Sequence, residues 1–338
     1  MQQNVVIIIP YYGQLPKNFQ TFIETCRMNS KIDWLIVTDL INDDTNLPSN
    51  VKQLNWTFQK FVRNMRETIG KPICLKTPYK MCDYKPVYGE AFKKYIESYD
   101  YWGYSDMDVV YGNLWQYIST SIQRKIDKIG NWGHLTLFKN NNDVNSRYKL
   151  NIIDNDQQIN LFNEMISTDD VTHFDETNGI NKIYEKHHFS WETNKNLVND
   201  IFFENLDLLS NDSRFFNYPG VFAWNNGNAV YYYQQNNQIK SQDFGYFHFQ
   251  KRKFRYFLNR NTKMFYVNTT GYHALNSLDD ETIKLAIRTN KSKFNKRLRY
   301  LLHNYFKTNL FTSRKIGSVY LPIKYIIWRI FKENNFII

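Results

Sequence analysis

The chain has 338 residues, 42% of them hydrophobic, enough to bury a substantial core in one large domain or two lobes and unlike a disordered or fibrous protein. Its net charge of +11 is lopsided, because eleven Lys/Arg and the single acid Glu333 fall in 291–338 and leave the preceding residues close to neutral. Cys26, Cys74 and Cys82 are odd in number and lack metal-ligand spacing, which favours a reducing compartment; the start has neither the basic region nor the long apolar core of a signal peptide, so a cytoplasmic chain is expected.

Val5-Val6-Ile7-Ile8-Ile9, ended by Pro10, reads as a strand buried on both faces of a parallel sheet. An amphipathic stretch from Pro16 to Met28 predicts a helix, and Trp34-Leu35-Ile36-Val37 a second buried strand that ends at Thr38-Asp39. That is the spacing of a βαβ unit. Further strands are expected at Lys52 to Asn55 and Ile73 to Leu75, and helices at Phe58 to Thr68 and Pro86 to Ser98. A strand from Tyr101, a helix from Leu114 to Lys128 and a strand from Trp132 to Phe138 complete a first lobe, 1–140. A second lobe, 141–272, reads as mixed helix and short strands without internal repeat, and 273–338 as a basic amphipathic tail. The expected fold class is α/β: a Rossmann-type nucleotide-binding sheet, a mixed α+β acceptor-side lobe and a helical basic tail.

Asp106-Met107-Asp108 sits where the strand from Tyr101 runs out. In extended backbone, residues i and i+2 share a face, so both carboxylates aim at one spot. Held that close they repel unless a cation lies between them, and hard oxygen ligands favour Mg²⁺ or Mn²⁺. The same acids also serve as ordinary turn caps. Open α/β sheets bind ligands outside the carboxyl ends of their strands, which brings Pro10-Tyr11-Tyr12, Thr38-Asp39 and the acidic pair to one crevice.

Three further blocks carry polar chemistry. Lys80, Asp83 and Lys85 precede Pro86, the first-turn residue of an expected helix, where an N-terminus flanked by lysines suits phosphate; an ordinary polar loop capped by Asp83 reads equally well. Asp175 and Glu176 offer a general base or a hydroxyl anchor, or are loop acids before the turn at Asn178-Gly179. His248 lies among aromatics before Lys251-Arg252-Lys253; its imidazole completes a cation's coordination shell or is a packed core histidine.

In this order the blocks Ile9-Pro10-Tyr11-Tyr12-Gly13, Trp34 to Asp39, Tyr79 to Pro86, Trp102 to Asp108 and His248 to Lys251 resemble the GT-A class of nucleotide-sugar-dependent glycosyltransferases, in particular bacterial enzymes of polysaccharide biosynthesis. The resemblance spans residues 4 to 260. It implies that Pro10, Tyr11, Tyr12, Thr38 and Asp39 hold the nucleoside, that Asp106 and Asp108 carry Mn²⁺ (or Mg²⁺) on the diphosphate with His248 as a third ligand, and that Lys251 neutralises the departing diphosphate. It further implies transfer from a nucleoside-diphosphate sugar, a UDP-sugar first, to a hydroxyl of a surface glycan or lipid-linked acceptor. Lys80, Asp83 and Lys85 join the donor-side residues, and Asp175 or Glu176 acts as base if the enzyme inverts. The small-residue Asp-Ala-Asp block of the retaining relatives is absent, which leaves stereochemistry open.

Two other readings compete. A haloacid-dehalogenase-like phosphatase needs a Thr two residues beyond the second Asp, where Val110 stands. A transferase-like fold without activity would bind glycan or membrane. The tail interleaves its cations with Phe294, Leu298, Tyr305 and Trp328, which suits the inner face of an anionic membrane at about 1 kcal/mol per Lys or Arg, or a solvated helix pair packed on the body; no nucleic-acid motif accompanies the charge.

Overall fold

In the computed structural model, which describes residues 4–41, 47–201, 208–250, 252, 254–258 and 262–290, the N-terminal apolar run forms strand β1 (Val5–Pro10). Val5, Ile7 and Ile9 enter one core with Phe22 and Ile118, while Val6 and Ile8 enter another with Phe61, Tyr88 and Phe92. Both faces are covered, so the strand reads as continuous rather than alternating; each such side chain contributes about 1.5–3 kcal/mol on burial.

Helix α1 (Phe19–Arg27) buries Phe19, Phe22, Ile23 and Cys26, the i, i+3, i+4, i+7 stripe of an amphipathic helix. It leads to β2 (Ile32–Thr38) and β3 (Val51–Asn55), both parallel to their predecessors. Helix α2 (Phe58–Ile69) starts at Thr57, whose hydroxyl accepts from the Lys60 N–H at 3.2 Å, and stops at Gly70 in the left-handed conformation. Strands β4 (Tyr101–Ser105) and β5 (Val109–Tyr111) flank the acidic pair, and α5 (Trp115–Gln123) follows two single-turn helices, α3 (Tyr88–Ala91) and α4 (Lys93–Ile96). Then come β6 (Lys128–Trp132), β7 (Leu135–Lys139), β8 (Ile152–Asp154), β9 (Gln157–Ile159), β10 (Trp191–Glu192) and β11 (Val198–Asp200). The remaining strands are β12 (Gly220–Asn225), β13 (Asn228–Gln235), β14 (Gln238–Phe244), β15 (Tyr246–His248), β16 (Arg255–Phe257), β17 (Met264–Asn268) and β18 (Gly271–Ala274).

The main sheet has the order β10-β6-β7-β4-β1-β2-β3, parallel from β4 through β3, with β7 antiparallel to both neighbours. The chain is therefore α/β with a mixed sheet. A second sheet, β11-β15-β5, pairs residues far apart in sequence: His248 opposes Val109 on one side and Asp200 on the other. A third, six-stranded sheet packs its Phe222 and Tyr231 against Val110 and Phe247 of the second. The expected boundary at 140 crosses these pairings, since β10 extends the first sheet and β15 pairs with β5; the described residues all belong to one compact unit, Met1–Lys291.

Several expected elements take other forms. Ile73 to Leu75 is not a strand; Cys74 donates a single backbone bond to Ile166 rather than a ladder. The helix expected from Pro86 is a 3₁₀ run over Pro78–Val87 followed by α3 and α4. The strand expected from Trp132 to Phe138 is the hairpin β6–β7, turning at Gly133-His134. The expected tail from 273 begins with a helix at Asp280–Thr289 whose Ile283, Ala286 and Ile287 pack on Val221 and Ala223. The basic segment 291–338 and Lys251 lie outside the described residues. Among the described residues no helix is long and apolar enough to cross a membrane.

Candidate metal centre

Strands β1, β2 and β4 run parallel, so Pro10-Tyr11-Tyr12, Thr38-Asp39 and Asp106 all leave the same edge of the sheet. Between β4 and β5 the backbone changes sheets. Met107 is buried in the core beneath, while Asp106 and Asp108 remain partly exposed on the other side. The antiparallel pairing of β5 with β15 then delivers His248, and the Phe249 N–H donates to the Asp108 carbonyl at 3.0 Å. One ligand atom each from Asp106, Asp108 and His248 lies within 4.8 Å of the others.

The strand end is fixed from below. The Tyr111 hydroxyl donates to Ser105 at 2.7 Å, and the Ser105 hydroxyl donates to the His134 carbonyl at 2.6 Å. Gly112 ends β5 where a Cβ would stand 2.6 Å from the Ala229 nitrogen and the Phe244 carbonyl. Only glycine lets the second and third sheets approach that closely.

Lys85 is the buried cation of the site. Its ammonium donates to Asp106 Oδ1 at 2.7 Å and the Gly133 carbonyl at 2.9 Å, and lies 3.4 Å from Asp175 Oδ2. Burial opposes its charge, but Asp106 and Asp175 outweigh that and hold it well above the usual lysine range. Burial also raises Asp175, to about 7; Lys85 pulls the other way, and the negative charges of Glu176 and Asp106 reinforce the rise. Glu176 is half-buried and accepts the Gly133 N–H at 2.7 Å. A Cβ at Gly133 would stand 2.3 Å from Asp175 Oδ2 and 2.8 Å from Glu176 Oε1, so a side chain there would have to displace both carboxylates.

Lys80 and Asp83 do not reach this cluster's solvent face. They pair with each other at 2.8 Å with both side chains fully buried, and the Asp83 carboxylate accepts the Thr172 and Phe174 N–H groups at 2.9 and 3.0 Å. Their phosphate-binding assignment gives way to a structural one: they clamp the loop that carries Asp175 and Glu176. Of the donor-side residues, Tyr11 is raised by burial and by the Asp108 charge. Tyr12 packs edge-on against Phe58 and Phe61, and burial followed by Asp39 raises its hydroxyl. Thr38 is fully buried and caps the Leu40 N–H at 3.2 Å, whereas Asp39 is exposed.

Asp200 was not apparent from the sequence. Register with β15 sets its Oδ1 3.2 Å from His248 Nδ1, while His248 Nε2 faces Asp108 Oδ1 at 3.6 Å. Burial opposes protonation of His248, but the carboxylates of Asp108 and Asp200 beside its two nitrogens outweigh it and push it up to about 10. His134 stacks on the same ring at a centroid distance of 3.9 Å; burial, with the neighbouring His248 charge, keeps it well below the ordinary imidazole range.

Two carboxylates and an imidazole at this spacing suit a divalent ion that accepts both oxygen and nitrogen, for which Mn²⁺ is better matched than Mg²⁺. Fold and site together define an α/β protein with a carboxylate–imidazole cluster at the carboxyl ends of its parallel strands. The profile of the Family of unknown function (DUF6625) matches residues 7–276, and the chain belongs to that family. The matched range contains every site residue named above. No curated protein matches the chain.

Proposed function

We propose that the protein is a metal-dependent glycosyltransferase of the GT-A type, moving a sugar from a UDP-sugar to a hydroxyl of a glycan or lipid-linked acceptor. The convergence of Asp106, Asp108 and His248 at the edge where β1 and β2 also end carries this reading. The parallel run β3-β2-β1-β4, followed by antiparallel β7, supports it as a nucleotide-binding frame.

In this reading Tyr11, Tyr12 and Asp39 line the nucleoside side of the crevice, and Asp106, Asp108 and His248 hold Mn²⁺. The ion supplies positive charge to the diphosphate as it leaves. Lys85 fixes the Asp106 carboxylate and screens it from Asp175. Glu176, the more exposed of the two loop acids, faces the acceptor, oriented by the Gly133 N–H. A base there takes the acceptor proton only if the reaction inverts. The basic segment 291–338 brings the enzyme to the inner face of the membrane, where lipid-linked acceptors reside.

The test is nucleotide release from UDP-, GDP- and CMP-linked sugars (UDP, GDP or CMP respectively) with and without Mn²⁺, read beside calorimetric UDP binding. Mn²⁺-dependent hydrolysis or binding that Asp108→Ala abolishes is the expected result. Absence of both in the natural chain overturns the proposal.

A further inference from the structure

Metal-binding imidazoles depend on what their second nitrogen touches, because that contact fixes the ring's tautomer and orientation and raises the basicity of the ligating nitrogen. His248 has such a partner. Its Nε2 faces Asp108, and its Nδ1 lies 3.2 Å from Asp200 Oδ1 on the opposite side of the ring. Asp200 is itself held: its Oδ1 accepts the Ile201 N–H at 2.8 Å and the Gln250 side-chain amide at 2.9 Å, and its carbonyl accepts the Asn211 N–H at 2.7 Å. The ring has little room to turn, since His134 stacks on one face at 3.9 Å and is anchored by the Tyr246 hydroxyl at 2.7 Å.

From this geometry we infer that Asp200 is a positioning residue for the metal centre, holding the proton of His248 on Nδ1 so that Nε2 is presented to the cation beside Asp106 and Asp108. The inference rests on the metal-site reading above. Asp200 belongs not to the Asp106–Asp108–His248 group but to a second one with His134 and His248, and in this inference it acts through the shared His248. Its carboxylate makes the imidazole a stronger nitrogen donor, which matters for Mn²⁺ and hardly at all for Mg²⁺, an ion satisfied by carboxylates, phosphate and water. Asp200 therefore sets the preference between the two ions.

Mn²⁺ and Mg²⁺ affinities of the full chain, by electron paramagnetic resonance for Mn²⁺ and competition for Mg²⁺, decide the matter without any turnover. For Asp200→Ala, Mn²⁺ affinity falls about 10- to 100-fold, the effect typical of losing such a partner, while Mg²⁺ affinity changes less than threefold. In Asp200→Asn the oxygen still accepts from Ile201 and Gln250, so the fold is retained and only the charge beside His248 Nδ1 is lost. That variant loses Mn²⁺ affinity by several-fold, with an unchanged thermal melt. Equal losses for both ions, or none in either variant, overturn the inference while leaving the metal site standing. Failure of the natural chain to bind Mn²⁺ at all, or unaltered binding in Asp108→Ala, removes the metal-site reading and this inference with it.

Discussion

Replacing Lys85 with Met removes one buried cation from between two carboxylates and keeps most of the side-chain volume. Asp106 is 40% exposed and water compensates much of its loss, so the cost falls mainly on Asp175, whose side chain is 4% exposed. Removing one partner of a buried pair costs about 3–5 kcal/mol. At roughly 2 °C per kcal/mol, the low end for a chain of this size, the melting temperature drops by about 6–10 °C. The loss depends on pH, and its sign follows from Asp175. Its folded-state value, about 7, is above the unfolded 3.8, so the stability it lends is fully present below pH 4 and lost as pH rises through 7. Without Lys85, which opposes that rise, Asp175 holds its proton to still higher pH and the natural chain's advantage widens. Thermal melts of both proteins at pH 6 and pH 8.5 read this directly. A deficit that is the same at both values, or under about 1 kcal/mol at pH 8.5, refutes the role assigned to Lys85.

Lys80→Met leaves buried Asp83 unpaired and destabilises by about 3–5 kcal/mol in urea unfolding, yet the variant, where folded, retains the UDP affinity of the natural chain. Gly133→Ala forces a methyl against Asp175 and Glu176 and costs about 1–3 kcal/mol; transfer activity falls by more than UDP binding does, because Glu176 is displaced and the donor side is not. Gly112→Ala costs at least as much, since the groups met by its methyl are backbone; calorimetric melting checks this. Removing 291–338 releases the protein from anionic vesicles in sedimentation, and unchanged sedimentation refutes the membrane assignment.

The parallel half of the sheet was legible because its strands are buried on both faces and announce themselves as apolar runs, as at Val5 to Ile9 and Trp34 to Val37. The acidic pair was legible because its geometry is local: the two acids stand two residues apart with Met107 between them turned into the core, although the backbone there is a bend between β4 and β5 rather than the extended chain expected. Lys80 and Asp83 misled for an equally local reason. They stand three apart on a 3₁₀ turn, which has three residues per turn, so they share one face, and that face is the buried one. Asp200 left no local trace, because its neighbour His248 is supplied by strand register across 48 positions rather than by spacing. The β6–β7 hairpin was hidden because Lys128 reads as the end of a helix and Trp132 as the start of a single strand, which leaves the turn at Gly133-His134 inside that strand.

The sheet β11-β15-β5 also bears on how the molecule reaches its native state. Its β11–β15 pairs lie 48 residues apart in sequence, and its β5–β15 pairs 135 to 139. Such closures are entropically costly and come late when local helices and hairpins form first. A nascent chain released at residue 140 carries Asp106 and Asp108 but neither His248 nor Asp200, and its cation affinity is that of an ordinary surface carboxylate pair. On the proposed metal site, tight Mn²⁺ binding during refolding is expected to report this long-range closure and to lag behind the appearance of helical circular dichroism.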